Sequence, residues 1–164
     1  ELHVAAGRVR GERLEQRLME ASRAFERDRY SDATQLLRRL VEEVPDSAPV
    51  RELLGLSFYR QGKWREAVRE LERYRELQHS VEQHPVLADC YRALRRHDKV
   101  AELWQELGAV SPAAHLVAEG RIVMAGSLAD RGEVPAAIAL LEAAPRGRLI
   151  RDHHLRAWYA LAWP

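Results

Sequence analysis

His79, His84, His97, His115, His153 and His154 carry imidazoles, the commonest protein ligands for a transition metal. Their spacing does not build a metal site. His153 and His154 are adjacent and point to different sides of a helix, and no His pair at i, i+4 has a third ligand in evidence. Cys90 is the sole cysteine, so neither an intramolecular disulfide nor a cysteine-based zinc site is expected, and a reducing, cytoplasmic setting is the natural assumption. It stands in the middle of a predicted helix, where a free thiol packs. No glycine-rich phosphate loop is present. Carboxylates alternate with arginine along helix faces, as in Arg65-Glu66 and Arg69-Glu70, a pattern of salt-bridged surface. These residues predict no enzyme, no cofactor and no metal. One local charge excess gathers Arg146, Arg148, Arg151 and Arg156 against Asp152, just before Trp158 and Tyr159. Basic groups beside aromatics suit single-stranded nucleic acid, and equally a solvated loop.

Behind these side chains stands a helical chain. It has 164 residues, 46% of them hydrophobic, enough for a sizeable core. Its 26 basic and 25 acidic residues leave a net charge of +1, which gives no general attraction to nucleic acid or anionic lipid. No run approaches the roughly 18 to 20 apolar residues that span a bilayer. Apolar residues recur at helical spacing: Leu14, Leu18, Ala21 and Phe25 form one stripe, and Ala33, Leu36, Leu37, Leu40 and Val41 the next. Turn chemistry interrupts the stripes at Asp28 to Ser31, Pro45 to Ser47, Gln61 to Lys63, Ser80 to Pro85, Gly108 to Pro112, Arg131 to Glu133 and Pro145 to Gly147. The breaks predict about nine helices, near 12–28, 31–44, 48–61, 64–78, 84–95, 97–108, 112–131, 134–144 and 149–162. Ser47 and Ser111 are placed to cap the helices that follow, with Pro49 and Pro112 in their first turns.

The helices pair, because two series of small residues advance together. Ala21, Gly55, Ala88, Ala125 and Ala162 are separated by 34, 33, 37 and 37 residues, while Ala33, Ala67, Val100 and Ala137 are separated by 34, 33 and 37. Two helices approach to the short end of about 8 to 10 Å only where side chains do not hold them apart. Leu54, Phe58, Trp64 and Leu71, then Leu87, Tyr91, Leu94 and Trp104, supply the bulk on the flanks. A fixed period near 34 is the signature of stacked helix hairpins. His97 falls where Tyr30 and Trp64 stand in their hairpins.

The segment Leu54-Gly55-x-x-Phe58-x-x-x-Gly62-x-Trp64-x-x-Ala67-x-x-x-Leu71 resembles the tetratricopeptide repeat, and Ala33 with Pro45, Trp104, and Gly132 with Ala137 and Leu141 repeat parts of it over residues 14–162. Arg69 to Tyr74, Ala88-Asp-Cys-Tyr91 and Arg121-Ile-Val-Met124 are similar to uncharacterised bacterial proteins of that family, which bring no activity with them. The resemblance implies an all-α helix-hairpin solenoid, a superhelix of about four hairpins plus a lone terminal helix. A lead-in of residues 1–13 would precede a repeat domain of 14–164, with units near 14–47, 48–80, 81–117 and 118–154 and a partial fifth at 155–164. Glu20 and Ala24 depart from the pattern, as in a capping repeat.

The same resemblance places Phe25, Glu52, Leu56, Tyr59, Arg60, Asp89, Arg92, Ile122 and Asp130 on or near a concave surface made by the first helix of each unit. A groove mixing aromatics, arginines and acids suits a peptide or a helix of a partner protein. The family's device for gripping a C-terminal carboxylate uses lysine and asparagine; this chain has no asparagine, and Leu18, Ser22 and Leu53 occupy the matching positions. The expectation is therefore a non-catalytic protein-interaction module, part of a longer chain. An alternative is a self-associating scaffold. Trp158, Tyr159, Leu161 and Trp163 open a fifth unit that stops at Pro164, and a second copy could cover them.

Overall fold

The computed structural model describes the backbone of residues 2–110 and 113–143, with side chains from residue 9 onward. Eight helices make up those residues, with no strand among them: α1 (Leu2–Glu26), α2 (Tyr30–Glu43), α3 (Ala48–Arg60), α4 (Trp64–Gln78), α5 (His84–Ala93), α6 (His97–Val110), α7 (Ala114–Asp130) and α8 (Val134–Glu142). None of the described helices is long and apolar enough to cross a membrane. Two expectations need correction. α1 starts at Leu2 rather than near residue 12: Leu2, Ala5, Ala6 and Val9 recur at helical spacing, and the helix runs through Gly7 and Gly11, which an interior tolerates at a cost. Ser47 does stand at the start of α3, yet its side chain makes no capping hydrogen bond, and Pro49 in the first turn leaves one fewer amide to satisfy. Ser111, Pro112, the expected helix at 149–162 and the basic cluster from Arg146 lie outside the described residues.

Each hairpin closes in the same way. Asp28, Gly62, Arg95 and Gly132 adopt left-handed backbone, with φ of 58°, 69°, 59° and 82°. The amide of the next residue then reaches back to a carbonyl of the preceding helix: Arg29 to Ala24, Lys63 to Phe58, Arg96 to Tyr91 and Glu133 to Leu128, at 2.8 to 3.0 Å. This left-handed cap satisfies carbonyls that the helix end leaves open and turns the chain back on itself. Glycine fills two of the four positions without a Cβ penalty.

The helices form two compact units, α1 to α4 through His79 and α5 to α8 from Ser80. In the first, α1 packs on α2 and α3 on α4, with α2 against α3. Its core is Ala21, Ala33, Leu37, Leu40, Leu54, Phe58, Ala67 and Leu71, all buried. Gly55 is the tightest point: a Cβ there would stand 2.7 Å from Leu71 Cγ and 3.3 Å from the Leu71 amide nitrogen. The Gln61 side-chain amide lies 2.7 Å from Thr34 Oγ1, 2.9 Å from the Ser57 carbonyl and 3.1 Å from that of Tyr30, which fastens the end of α3 to the start of α2.

In the second unit α7 packs against both α5 and α6 as well as α8. Leu87, Ala88, Cys90, Val100, Leu103 and Leu107 are buried there, and Ala125, Leu128, Ala137 and Leu141 form a cluster at the last hairpin. Gly120 allows the approach of α6, since a Cβ on it would meet Leu107 Cδ2 at 2.5 Å. His97 opens α6 as Tyr30 opens α2 and Trp64 opens α4, and its Nδ1 is 2.7 Å from Ser127 Oγ on α7.

A polar series runs in step with the small residues. Four positions before Ala21, Gly55, Ala88 and Ala125 stand Arg17, Arg51, His84 and Arg121. Arg17 pairs with Glu43 on α2, Arg51 with Glu70 on α4, and His84 with Glu106 on α6 at 2.9 Å. Glu70 is only 2% exposed and also accepts from Arg69 Nε at 2.9 Å. Arg51 Nε donates to the Pro45 carbonyl at 2.8 Å. Leaving one member of so buried a pair alone would cost about 3 to 5 kcal/mol.

The close approach at Gly55 makes a direct prediction. Gly55→Leu should cost ~1 to 3 kcal/mol through overpacking against Leu71. A denaturant midpoint unchanged from the parent protein would contradict it.

Candidate partner-binding surface

On α3, Glu52, Leu56, Tyr59 and Arg60 follow one another at i, i+4, i+7 and i+8, so they share a helix face. Glu52, Leu56 and Tyr59 are half-buried and Arg60 is exposed. Phe25, near the end of α1, is half-buried and meets Tyr30 edge-on with ring centroids 5.2 Å apart. The Arg60 guanidinium lies over the other partner of that contact, 4.8 Å from the Tyr30 centroid, and its Nη2 is 3.5 Å from Asp28. Tyr30 in turn donates its hydroxyl proton to the Asp28 carboxylate. Phe25 and Arg60, distant in sequence, are thus joined through Tyr30. Tyr59 packs edge-on against Trp64 at 5.7 Å. A Trp at the start of a second helix therefore supports a first-helix aromatic, and the repeat period carries the pairing.

The expected residues of the second unit divide. Asp89, Arg92 and Asp130 come together: Arg92 donates to Asp130 through Nε at 2.6 Å and Nη2 at 3.2 Å, and its Nη1 is 3.8 Å from Asp89. Ile122 does not join them and packs instead against the cluster of Ala125, Leu128, Ala137 and Leu141. Gly126, four residues before Asp130, explains the route of the arginine, because a Cβ there would lie 2.5 Å from Arg92 Cζ. The guanidinium crosses α7 over a bare backbone. Gly126 carries no turn and no repeat position, so only its regular helical surroundings, where glycine is unfavourable, mark it in the sequence.

The electrostatics follow from this pairing. Hydrogen bonding from Arg92 holds the Asp130 carboxyl below its ordinary range, and Asp130 in turn raises the Arg92 guanidinium. Bidentate pairing of this kind fixes a rotamer as well as a charge. Cys90, beside Asp89 in sequence, faces the opposite way into the core; burial first, and the Asp89 charge second, push its thiol up to about 12. At neutral pH it is a packed thiol and a poor nucleophile. Among the described residues no three His, Cys, Asp or Glu side chains converge as metal ligands. His84 is engaged with Glu106 and His97 with Ser127. Trp158, Tyr159, Leu161 and Trp163, the expected self-association patch, lie outside the described residues.

The family described as anaphase-promoting complex, cyclosome, subunit 3 is matched by residues 20–107, more than half of the chain. That stretch takes in the last two turns of α1, all of α2 to α5 and most of α6. No curated protein matches the sequence.

Two measurements check the local chemistry. Cys90 should resist iodoacetamide at pH 8 in the native protein and react once denaturant is added; rapid native modification would mean that the thiol is not packed away. For Asp130→Asn, the loss of stability relative to the parent should be full above the ordinary carboxylate value of 3.8 and should fade as pH falls through the lowered folded value, since a depressed carboxyl stabilises only while ionised. A stability difference that does not vary with pH would contradict the pairing.

Proposed function

From the premise that the chain belongs to the anaphase-promoting complex, cyclosome, subunit 3 family, whose repeat is of the tetratricopeptide type, we propose a non-catalytic module that offers the faces of its first helices to a peptide or helix of another protein. Repeats of this type serve protein–protein interaction. The family's description is that of a subunit, a chain working inside an assembly, and this supports a role in holding other proteins rather than in turnover.

The observation that carries the proposal is the state of the first-helix side chains. Tyr59 rests on Trp64, Arg60 on Tyr30 and Asp28, and Arg92 on Asp130. Each is a large or charged group held in one place by the protein itself while keeping exposed surface. Groups ordered in advance lose little further freedom on association, which is where binding free energy is otherwise spent. Tyrosine and arginine are also the residues that most often anchor interfaces. Glu52 stands on the α3 face with Arg60, and Asp89 and Asp130 flank Arg92 in the second unit, so a partner segment of mixed charge and with an apolar ridge fits each face best.

The proposal is tested by capture and quantitation. The intact protein should retain a defined partner segment, and Tyr59→Ala combined with Arg60→Glu should weaken that complex by about tenfold or more, matching the 1.4 kcal/mol or larger effect of losing an anchor residue. Exchange of exposed Arg39 on α2 for Glu should leave affinity unchanged. Equal effects of the two changes would remove the first-helix surface from consideration. Sedimentation of the same preparations separates a partner complex from self-association, in which the mass would double with concentration and the Tyr59 variant would behave like the parent.

A further inference from the structure

The four-membered polar series ends on an unmatched member. Arg17, Arg51 and His84 each meet a glutamate from the second helix of their own hairpin, Glu43, Glu70 and Glu106. Those glutamates stand ten, three and six residues after Ala33, Ala67 and Val100. The equivalent positions after Ala137 are Leu140, Ala143 and Gly147, none of them acidic. Arg121 consequently has no carboxylate partner among the described residues. It donates from Nη1 to the Leu140 main-chain carbonyl at 3.0 Å, and its Cζ lies 5.5 Å from the centre of the Trp104 ring. Its Nε is buried without any hydrogen-bond partner. The one acid of α8, Glu142, is exposed and forms no ion pair with it.

A guanidinium so placed has unused donors in a fixed planar fork, with an aromatic wall behind it. Burial lowers its pKa, as expected where desolvation is not offset by an opposite charge. A buried polar group left open in a folded protein calls for a reason, since closing it with a carboxylate or replacing it by an apolar residue would both be favourable. The sister positions indicate which ligand the site accepts: in three of three cases it is a glutamate carboxylate.

We propose that Arg121, backed by Trp104 and braced by the Leu140 carbonyl, is a receptor for an aspartate or glutamate carboxylate supplied by another protein, which completes in trans the carboxylate contact that the other hairpins make internally. Arg121 stands on α7 but turns to Leu140 of α8, and the site does not depend on use of the Tyr59 and Arg60 face. The bond is a charge-assisted hydrogen bond from Nη2 to a carboxylate oxygen, while the enclosed Nε leaves the cation short of compensation until that charge arrives; no proton changes hands.

The test uses the full chain and two small probes, blocked glutamate and blocked glutamine (N-acetyl, C-terminal amide), titrated at constant ionic strength while the Arg121 Nε–H and Trp104 indole resonances are followed. Blocked glutamate should shift both resonances saturably, blocked glutamine should not, and Arg121→Gln should abolish the response. Equal shifts with both probes, or none with glutamate, would overturn the proposal. Stability provides an independent arm. Arg121→Met should leave the unfolding midpoint unchanged or raise it, whereas Arg51→Met should lower it. If Arg121→Met lowers the midpoint, and Asp152→Asn does the same without further loss in the double variant, the carboxylate comes from the chain itself and the proposal fails. A dimer in sedimentation that Arg121→Gln dissociates would support the site and identify a second copy as the donor.

Discussion

Close approach of paired helices is the constraint from which the rest of this structure follows. Gly55 lets α3 come so near α4 that the Leu71 side chain sits where a Cβ would be. Ala21, Ala88 and Ala125 are buried at the corresponding places, opposite buried Ala33, Val100 and Ala137. Side chains of this size leave a crossing whose separation is set by backbone, so the larger residues to either side have one way to pack. Phe58, Leu54 and Leu37 are fully or almost fully buried as a result, and so are Leu87, Leu103 and Leu107 in the second unit. Helix pairing then determines which polar groups can reach one another: Arg51 faces Glu70, and His84 faces Glu106, because the rods beneath them are nested.

The polar contacts divide by what they secure. Gln61 and the pair His97 with Ser127 join successive hairpins within a unit. The glutamate pairs of Arg17, Arg51 and His84 lie inside single hairpins. Arg92 is also of the first kind, joining α5 to α7, but it remains a third exposed at its side chain. A group of that sort both fastens a fold and faces solvent, and an approaching molecule meets it already aimed. Exposed pairs such as Arg96 with Asp98 are screened by water and fix little.

Helix type, pairing and most boundaries were legible in the sequence because they are written in periodic residues: second helices begin at Tyr30, Trp64 and His97 as the spacing requires. What escaped was of two kinds. The start of α1 carries Leu2, Ala5, Ala6 and Val9 at helical spacing, but Gly7 and Gly11 among them read as a break. The series Arg17, Arg51, His84 and Arg121 was present in plain view at the same intervals as the small residues, but charged side chains in helices ordinarily denote solvated faces, and only three dimensions reveal that Glu70 is enclosed. His84 likewise resembled a metal ligand by type and is in fact one half of an interhelix pair. Family resemblance says where a first helix faces and not whom each side chain meets: Ile122 packs on the core cluster, while Arg92 meets Asp130.

The repeated left-handed turn fixes the length of each hairpin. Twelve residues separate the small residue of the first helix from that of the second in every hairpin, whereas the distance from one hairpin to the next varies. A cap that demands one residue of positive φ and one returning amide tolerates neither insertion nor deletion, so each hairpin behaves as a cassette of constant length. A joint between cassettes that gains or loses a residue leaves the contacts inside each hairpin as they are.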